Sequence, residues 1–275
     1  MKHANFSWKS KDGTEIFAQK WEGNENPKAA IGLIHGMGEH SGRYAEWASR
    51  FVNDGYAVVA YDQRGHGRSG GNRGHADSFE VLYDDAQDFL SKIKEQFPDN
   101  TYILYGHSMG GDVLSNFLIR RKPDIQGAIL SSPYFRMAFS PPKLKITLGK
   151  WMENLLPKLS LPTGLEASHI SRDAAEVKKY INDPLVHDKI SAKMGMQLID
   201  NGEYAIVHAG EIKIPLLVIH GTGDKLTSHL ATQEFVSHGG KNITAKYYEG
   251  LYHEMHHEPE RDRVYRDIIQ FIGSL

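Results

Sequence analysis

The chain has 275 residues, enough to bury a sizeable core as one large α/β domain with an insertion. Its 32 basic and 34 acidic residues leave a net charge of −2 with neutral histidines, so composition gives no reason to expect a nucleic-acid partner. No apolar run reaches the roughly eighteen residues of a membrane span, no apolar stretch marks a secretory signal behind the N-terminus, and the absence of cysteine excludes disulfides, thiolate metal sites and a cysteine nucleophile. A cysteine-free chain is indifferent to redox, and a cytoplasmic location is the default expectation.

Residues 6–10 and 15–21 read as two strands joined at Lys11-Asp12-Gly13, an Asp-Gly hairpin signal. Asn24-Glu-Asn-Pro-Lys28 is a turn, and Ala29–Ile34 is an apolar run suited to a strand buried on both faces. It ends in His35-Gly36-Met37-Gly38-Glu39-His40-Ser41-Gly42, after which Tyr44, Trp47, Ala48 and Phe51 fall at helical spacing up to Asn53-Asp54-Gly55. Tyr56–Tyr61 is another buried strand, followed by the glycine-rich loop 62–71. Within that loop Arg64–Ser69 lacks the Gly-Lys-Ser/Thr ending of a phosphate-binding loop and reads as a tight structural turn. A helix is expected over 79–97, ending before Pro98.

Tyr102-Ile-Leu-Tyr-Gly106-His-Ser108-Met-Gly110-Gly111 then runs from a strand straight into a helix over 109–121. Gly-x-Ser-x-Gly between a strand and a helix is the nucleophile elbow, a turn so tight that the serine needs small neighbours two residues away on each side. A further strand follows at 127–130. Strands alternating with helices imply a mostly parallel sheet with the N-terminal hairpin as its antiparallel edge.

From about Tyr134 to His208 the alternation breaks. Pro141, Pro142, Pro157, Pro162 and Pro184 punctuate short helical pieces with no obvious strand. A helical insertion between two sheet strands reads as a cap over the nucleophile, giving a core of 1–133 and 209–275 and a cap of 134–208. In the cap, Leu144, Leu148, Trp151 and Leu155 form one helical stripe flanked by Lys143, Lys145, Lys150 and Lys158. The preferred reading packs this stripe on the body; the other makes it an apolar lip with a basic collar that touches a lipid surface. Alternation resumes with a strand at 215–219, a helix near 229–238, a strand at 243–248 and a closing helix at 260–273.

A serine hydroxyl is a poor nucleophile and needs a base to take its proton and an acid to orient that base. Downstream of Ser108, Asp224 stands on a glycine-rich loop at a strand end and His253 on the loop after the last strand, in the Ser, Asp, His order of this architecture. Two backbone N–H groups must face the oxyanion. Met109, next to the nucleophile, and Met37, in the His-Gly-Met-Gly loop, are the candidates. A neutral His253 is required for the base, so turnover is expected to fall on acidification through about pH 6 to 7. Residues 253–257 also match the zinc pattern His-Glu-x-x-His, which works only on a helix; Gly250 and Pro259 leave little room for one, so His253-Glu254-x-x-His257 is a remote alternative. The other histidines, including His66, His75, His169, His187, His208 and His229, are expected on the surface or in loops.

The runs His35–Tyr44, Arg64–Ser69, Gly106–Gly111, His220-Gly-Thr-Gly-Asp-Lys225 and Tyr252-His253 resemble those of the monoacylglycerol lipases and lysophospholipase-like enzymes of the α/β-hydrolase fold. The resemblance implies a mostly parallel twisted sheet with helices on both faces and a helical cap inserted after the sixth strand. It also implies a triad of Ser108, Asp224 and His253 and oxyanion donors at Met37 and Met109. Neither cofactor nor metal is implied. The substrates it implies are monoacylglycerols or related single-chain lipid esters, with lysophospholipids or short- and medium-chain carboxylesters as the alternative. Transient contact of the cap with a membrane or micelle, and a monomer or homodimer, complete the expectation. Met37 is larger than the small residue the family pattern places there, and the cap aligns only at Asp183-Pro-Leu185.

Overall fold

The computed structural model describes residues 1–23, 26–139 and 143–275, without the side chains of Lys143 and Lys145. The turn read at Asn24 and Glu25, the prolines Pro141 and Pro142, and the flanking charges of Lys143 and Lys145 therefore lie outside the described residues.

Eight strands form one sheet: β1 (Lys2–Lys9), β2 (Glu15–Glu22), β3 (Ala30–Ile34), β4 (Ala57–Tyr61), β5 (Tyr102–His107), β6 (Gly127–Ser131) and, after the insertion, β9 (Leu216–Gly221) and β10 (Ile243–Tyr248). Their order is β1-β2-β4-β3-β5-β6-β9-β10. β1 and β2 are antiparallel, β2 runs antiparallel to β4, and every other pair is parallel. β3, β4, β5, β6 and β9 are buried along their whole length, as apolar runs inside a covered parallel sheet must be.

Side chains alternate across the pleat and fill two cores. Ile34, Val59, Leu104, Leu130 and Val218 lie on one face under α2 (Phe79–Gln96) and α3 (Met109–Arg121). Leu33, Val58, Tyr105, Ile129 and Ile219 lie on the other under α1 (Ala45–Asn53) and α8 (Arg261–Ile272). α8 buries Val264, Ile268 and Ile272, four residues apart on one stripe. α2 starts where the Ser78 side chain accepts the Val81 N–H.

Between β6 and β9 the described chain forms α4 (Lys143–Leu155), α5 (Ala174–Asn182), α6 (Ala192–His208) and two three-residue strands, β7 (Ser160–Pro162) and β8 (Lys189–Ser191), paired antiparallel. The small sheet corrects the expectation that this stretch holds no strand. α4 packs on α6, with Gly149 against the Met196 sulfur. Its apolar stripe points the other way: Leu144 is 79% exposed, Leu148 56%, Trp151 68% and Leu155 71%, so the stripe does not pack on the body. α7 (His229–His238) follows β9.

Candidate active site

Ser108 sits between β5 and α3 with φ 52° and ψ −120°, a strained conformation for a residue with a side chain. The crowding explains its neighbours. A Cβ on Gly106 would come within 2.5 Å of the Gly110 carbonyl oxygen, and one on Gly110 within 2.2 Å of the Ile34 carbonyl oxygen. The turn is held by its own backbone: Ser108 N–H donates to the Ser131 carbonyl at 3.0 Å, and the Ser108 carbonyl accepts from Tyr134 N–H at 2.9 Å.

Ser108 opens onto a cavity of about 90 Å³ whose wall includes Met37, Met109, Tyr134, Ile170, Leu198 and His253. His253 lies on the loop after β10, with Nδ1 at 2.7 Å from Asp224 Oδ2. A donor at Nδ1 leaves Nε2 as the proton acceptor. Ser108 Oγ makes no hydrogen bond to His253 among the described residues.

Asp224, in the turn after β9, is saturated. Its Oδ1 accepts the N–H groups of Leu226 (2.7 Å) and Thr227 (3.0 Å); its Oδ2 takes the Thr227 hydroxyl (2.8 Å), His220 Nε2 (3.1 Å) and His253. Burial works against its charge, but the two imidazoles and their hydrogen bonds outweigh it and hold the carboxyl well below the usual range. His253 shows the mirror image: burial opposes protonation, and the Asp224 carboxylate with its hydrogen bond raises the imidazole above its ordinary value. The neighbouring His107, 4.7 Å away between ring centres, is pushed down to about 4 by burial and by the charge of His253.

The loop after β3 is fixed from both sides. His35 donates through Nδ1 to the Gly36 carbonyl (2.7 Å) and accepts the Gln63 N–H at Nε2 (2.9 Å). Glu39 Oε1 accepts the Gly36 N–H at 2.6 Å. The N–H groups of Met37 and Met109 have no partner among the described residues. The fold thus gathers Ser108, His253, Met37 and Met109 around one cavity, with Asp224 behind the imidazole.

Three groups escaped the sequence reading: Thr227 and His220 on Asp224, and the ion cluster Glu39, Arg43 and Glu254. Asp-Lys-Leu-Thr is a turn in which an aspartate caps the N–H two residues on, and that pattern could have flagged Thr227. Glu39 and Arg43, four apart, could have been paired, but nothing local pointed to Glu254.

The zinc alternative does not survive. Met255–His257 is a single 3₁₀ turn, not a helix carrying His253 and His257 on one face. His253 is turned to Asp224, and the Glu254 carboxylate is occupied by Arg43 and His257. Glu254, His256 and His257 have ligand atoms within 4.8 Å of one another, but His253 is not among them. His66 and His75 lie in loops as expected, yet both are buried, His66 between the rings of His35 and His187 and His75 with Nδ1 on the Ser191 hydroxyl.

A family model described as serine aminopeptidase, S33, matches residues 25–260. A monoacylglycerol lipase of Mycolicibacterium smegmatis is 32% identical over 95% of this chain and 94% of its own. An uncharacterized abhydrolase domain-containing protein of Dictyostelium discoideum is 34% identical over 95% of this chain, which spans 28% of that longer protein. The crystal structure of a Paleococcus ferrophilus monoacylglycerol lipase superposes with a TM-score of 0.86 at 34% identity, covering 94% of this chain and 98% of the other.

Proposed function

This chain belongs to the serine hydrolase family matched over residues 25–260, with the monoacylglycerol lipases among its relatives, and from that premise we propose that it cleaves monoacylglycerols and related single-chain lipid esters. The observation that carries the reading is the 2.7 Å Asp224–His253 hydrogen bond beside a cavity into which the strained elbow presents Ser108.

In this reading His253 Nε2 takes the Ser108 proton as Oγ attacks the ester carbonyl. The N–H groups of Met37 and Met109 receive the developing oxyanion, each contributing on the order of 10²–10³ in turnover. The C–O bond to the alcohol breaks, His253 returns the proton to the leaving oxygen, and the acyl group stays on Ser108. Water, deprotonated by the same imidazole, then adds to the acyl carbon; the bond to Oγ breaks, the imidazole gives its proton back to Ser108 Oγ, and the fatty acid leaves. Asp224 keeps the proton on Nδ1 and stabilises the imidazolium.

We also propose that residues 134–208 act as a cap and that α4 is its lipid-facing edge. The exposed stripe of Leu144, Leu148, Trp151 and Leu155, with the exposed Lys150 alongside, matches an interfacial helix. No helix among the described residues is long and apolar enough to cross a membrane.

The test is turnover of p-nitrophenyl esters from C2 to C16, monoacylglycerols, lysophosphatidylcholine and an amino-acid p-nitroanilide, before and after an active-site serine phosphonate and, separately, EDTA. The reading expects loss of activity with a phosphonate adduct on Ser108, indifference to EDTA, and monoacylglycerol as the best natural ester. An adduct elsewhere, or a preference for the anilide, would refute it.

A further inference from the structure

Arg43 stands where three parts of the chain meet. Its side chain is 6% exposed, and it is read from the turn that leads into α1. One nitrogen, Nη1, donates to Glu39 Oε2 at 2.8 Å and to Glu254 Oε1 at 2.5 Å; Nη2 donates to Glu254 Oε2 at 2.7 Å. The Tyr180 ring of α5 lies 4.7 Å from the guanidinium carbon. Only a planar fork makes this set of bonds; a lysine ammonium offers charge without the geometry.

Each carboxylate leads to the site. Glu39 spends its other oxygen on the Gly36 N–H and the Tyr44 hydroxyl, and so fixes the His35–Gly36 peptide, one before the peptide that carries the Met37 N–H. Glu254 follows His253 directly in the chain and shares the cavity wall with Glu39 and Ser108. Resting on the catalytic reading above, we propose that Arg43 is a positioning residue that locks the oxyanion loop to the histidine loop and neutralises the two carboxylates buried beside the site.

The charges define what its loss does. His253 faces Asp224 and the Thr227 hydroxyl at Nδ1, His107 across its ring, Glu39 and Glu254 from the Arg43 side, and His220 behind Asp224. Arg43 itself faces Glu39, Glu254, Tyr44, Tyr180 and His257. Burial opposes charge on both glutamates; the guanidinium, with His107 and His35 beside Glu39 and His257 beside Glu254, outweighs it and holds Glu39 below and Glu254 well below the carboxylate range. Without the guanidinium, burial and mutual repulsion let one of the two carboxylates take up a proton, and the charge left on the other, no longer compensated, faces the imidazole and favours its protonated form. The same charge opposes an oxyanion forming at Met37.

Two variants of the full chain separate the geometric and electrostatic roles. Arg43→Lys keeps the charge and loses the fork: kcat falls at least about tenfold with KM little changed, and the pH midpoint of kcat/KM stays in place. Arg43→Met loses both, so the same fall comes with a midpoint moved to higher pH. A merely structural arginine would lower the melting temperature and move neither the midpoint nor the balance of kcat against KM. Wild-type kcat in Arg43→Lys overturns the proposal, as does a wild-type midpoint in folded Arg43→Met. If Arg43→Met does not fold, the kcat of Arg43→Lys decides. Wild-type protein is first treated with the phosphonate: if Ser108 carries no adduct, the catalytic reading falls and this proposal with it, whereas an adduct with unaltered variants overturns the proposal alone.

Discussion

Replacing Gly38 with alanine tests whether the insertion and the oxyanion loop are locked together. Gly38 has φ +76°, and its carbonyl accepts the His187 N–H of the insertion at 2.8 Å. A Cβ there would stand 2.3 Å from the His187 carbonyl oxygen, where ordinary contact begins near 3.4 Å. Both partners are backbone, so one of the two segments must move by about 1 Å, a displacement that near a reacting centre costs on the order of 10²-fold. Left-handed backbone adds about 1–2 kcal/mol of strain. Gly13→Ala is the control: it has φ +85° and nothing within 4 Å of its would-be Cβ, in the turn between β1 and β2. Measured as kcat/KM on the best p-nitrophenyl ester together with thermal unfolding, both variants lose a few degrees, about 2–4 °C per kcal/mol. Only Gly38→Ala loses turnover. Wild-type turnover in Gly38→Ala would show that the loop's position does not depend on this contact.

Two further outcomes follow from the site and the surface. Because Asp224 raises His253 above its ordinary value, kcat/KM falls as pH drops through a midpoint above that of a free imidazole; Asp224, held well below its own range, stays ionised throughout. A profile flat down to pH 5 would remove His253 as the base. Trp151→Ser, on a side chain 68% exposed, leaves turnover of a soluble short ester intact and weakens binding to phospholipid vesicles read by sedimentation; equal vesicle binding would show that α4 is not the lipid-facing edge.

Legibility tracked the range of the interaction. The buried strands announced themselves as apolar runs, and the helix after the elbow spans Met109–Arg121, the expected bounds, because its pattern is local. Ser108, Asp224 and His253 could be named because each follows a strand end, and strand ends converge on one edge of a parallel sheet. β7 and β8 were invisible: three residues carry no period, and Leu161 pairs with Ile190 across a stretch of helix. The stripe on α4 was seen, but a stripe says only that one face is apolar. The facing decision was made by Gly149 and Met196, on the other side of the helix. Arg43 and Glu254 are 211 residues apart and His75 and Ser191 are 116, and no periodicity joins such pairs.

The strands flanking the insertion are themselves neighbours, with Ala128 of β6 opposite Leu216 of β9. α6 lies between them in the chain and packs on α3 and α7, which is where the helix of an ordinary crossover belongs. The stretch from Ser131 to Ala192 is therefore a detour hung on a crossover the sheet would need in any case. Changing its length leaves the register of the eight-stranded sheet in place, but the stretch also carries Tyr134, whose N–H holds the Ser108 carbonyl, and His187, whose N–H holds the Gly38 carbonyl. The elbow, the loop after β3 and the loops after β9 and β10 hang from the permanent part. Any exchange of the stretch must therefore keep those two contacts if the elbow and the loop after β3 are to hold their places.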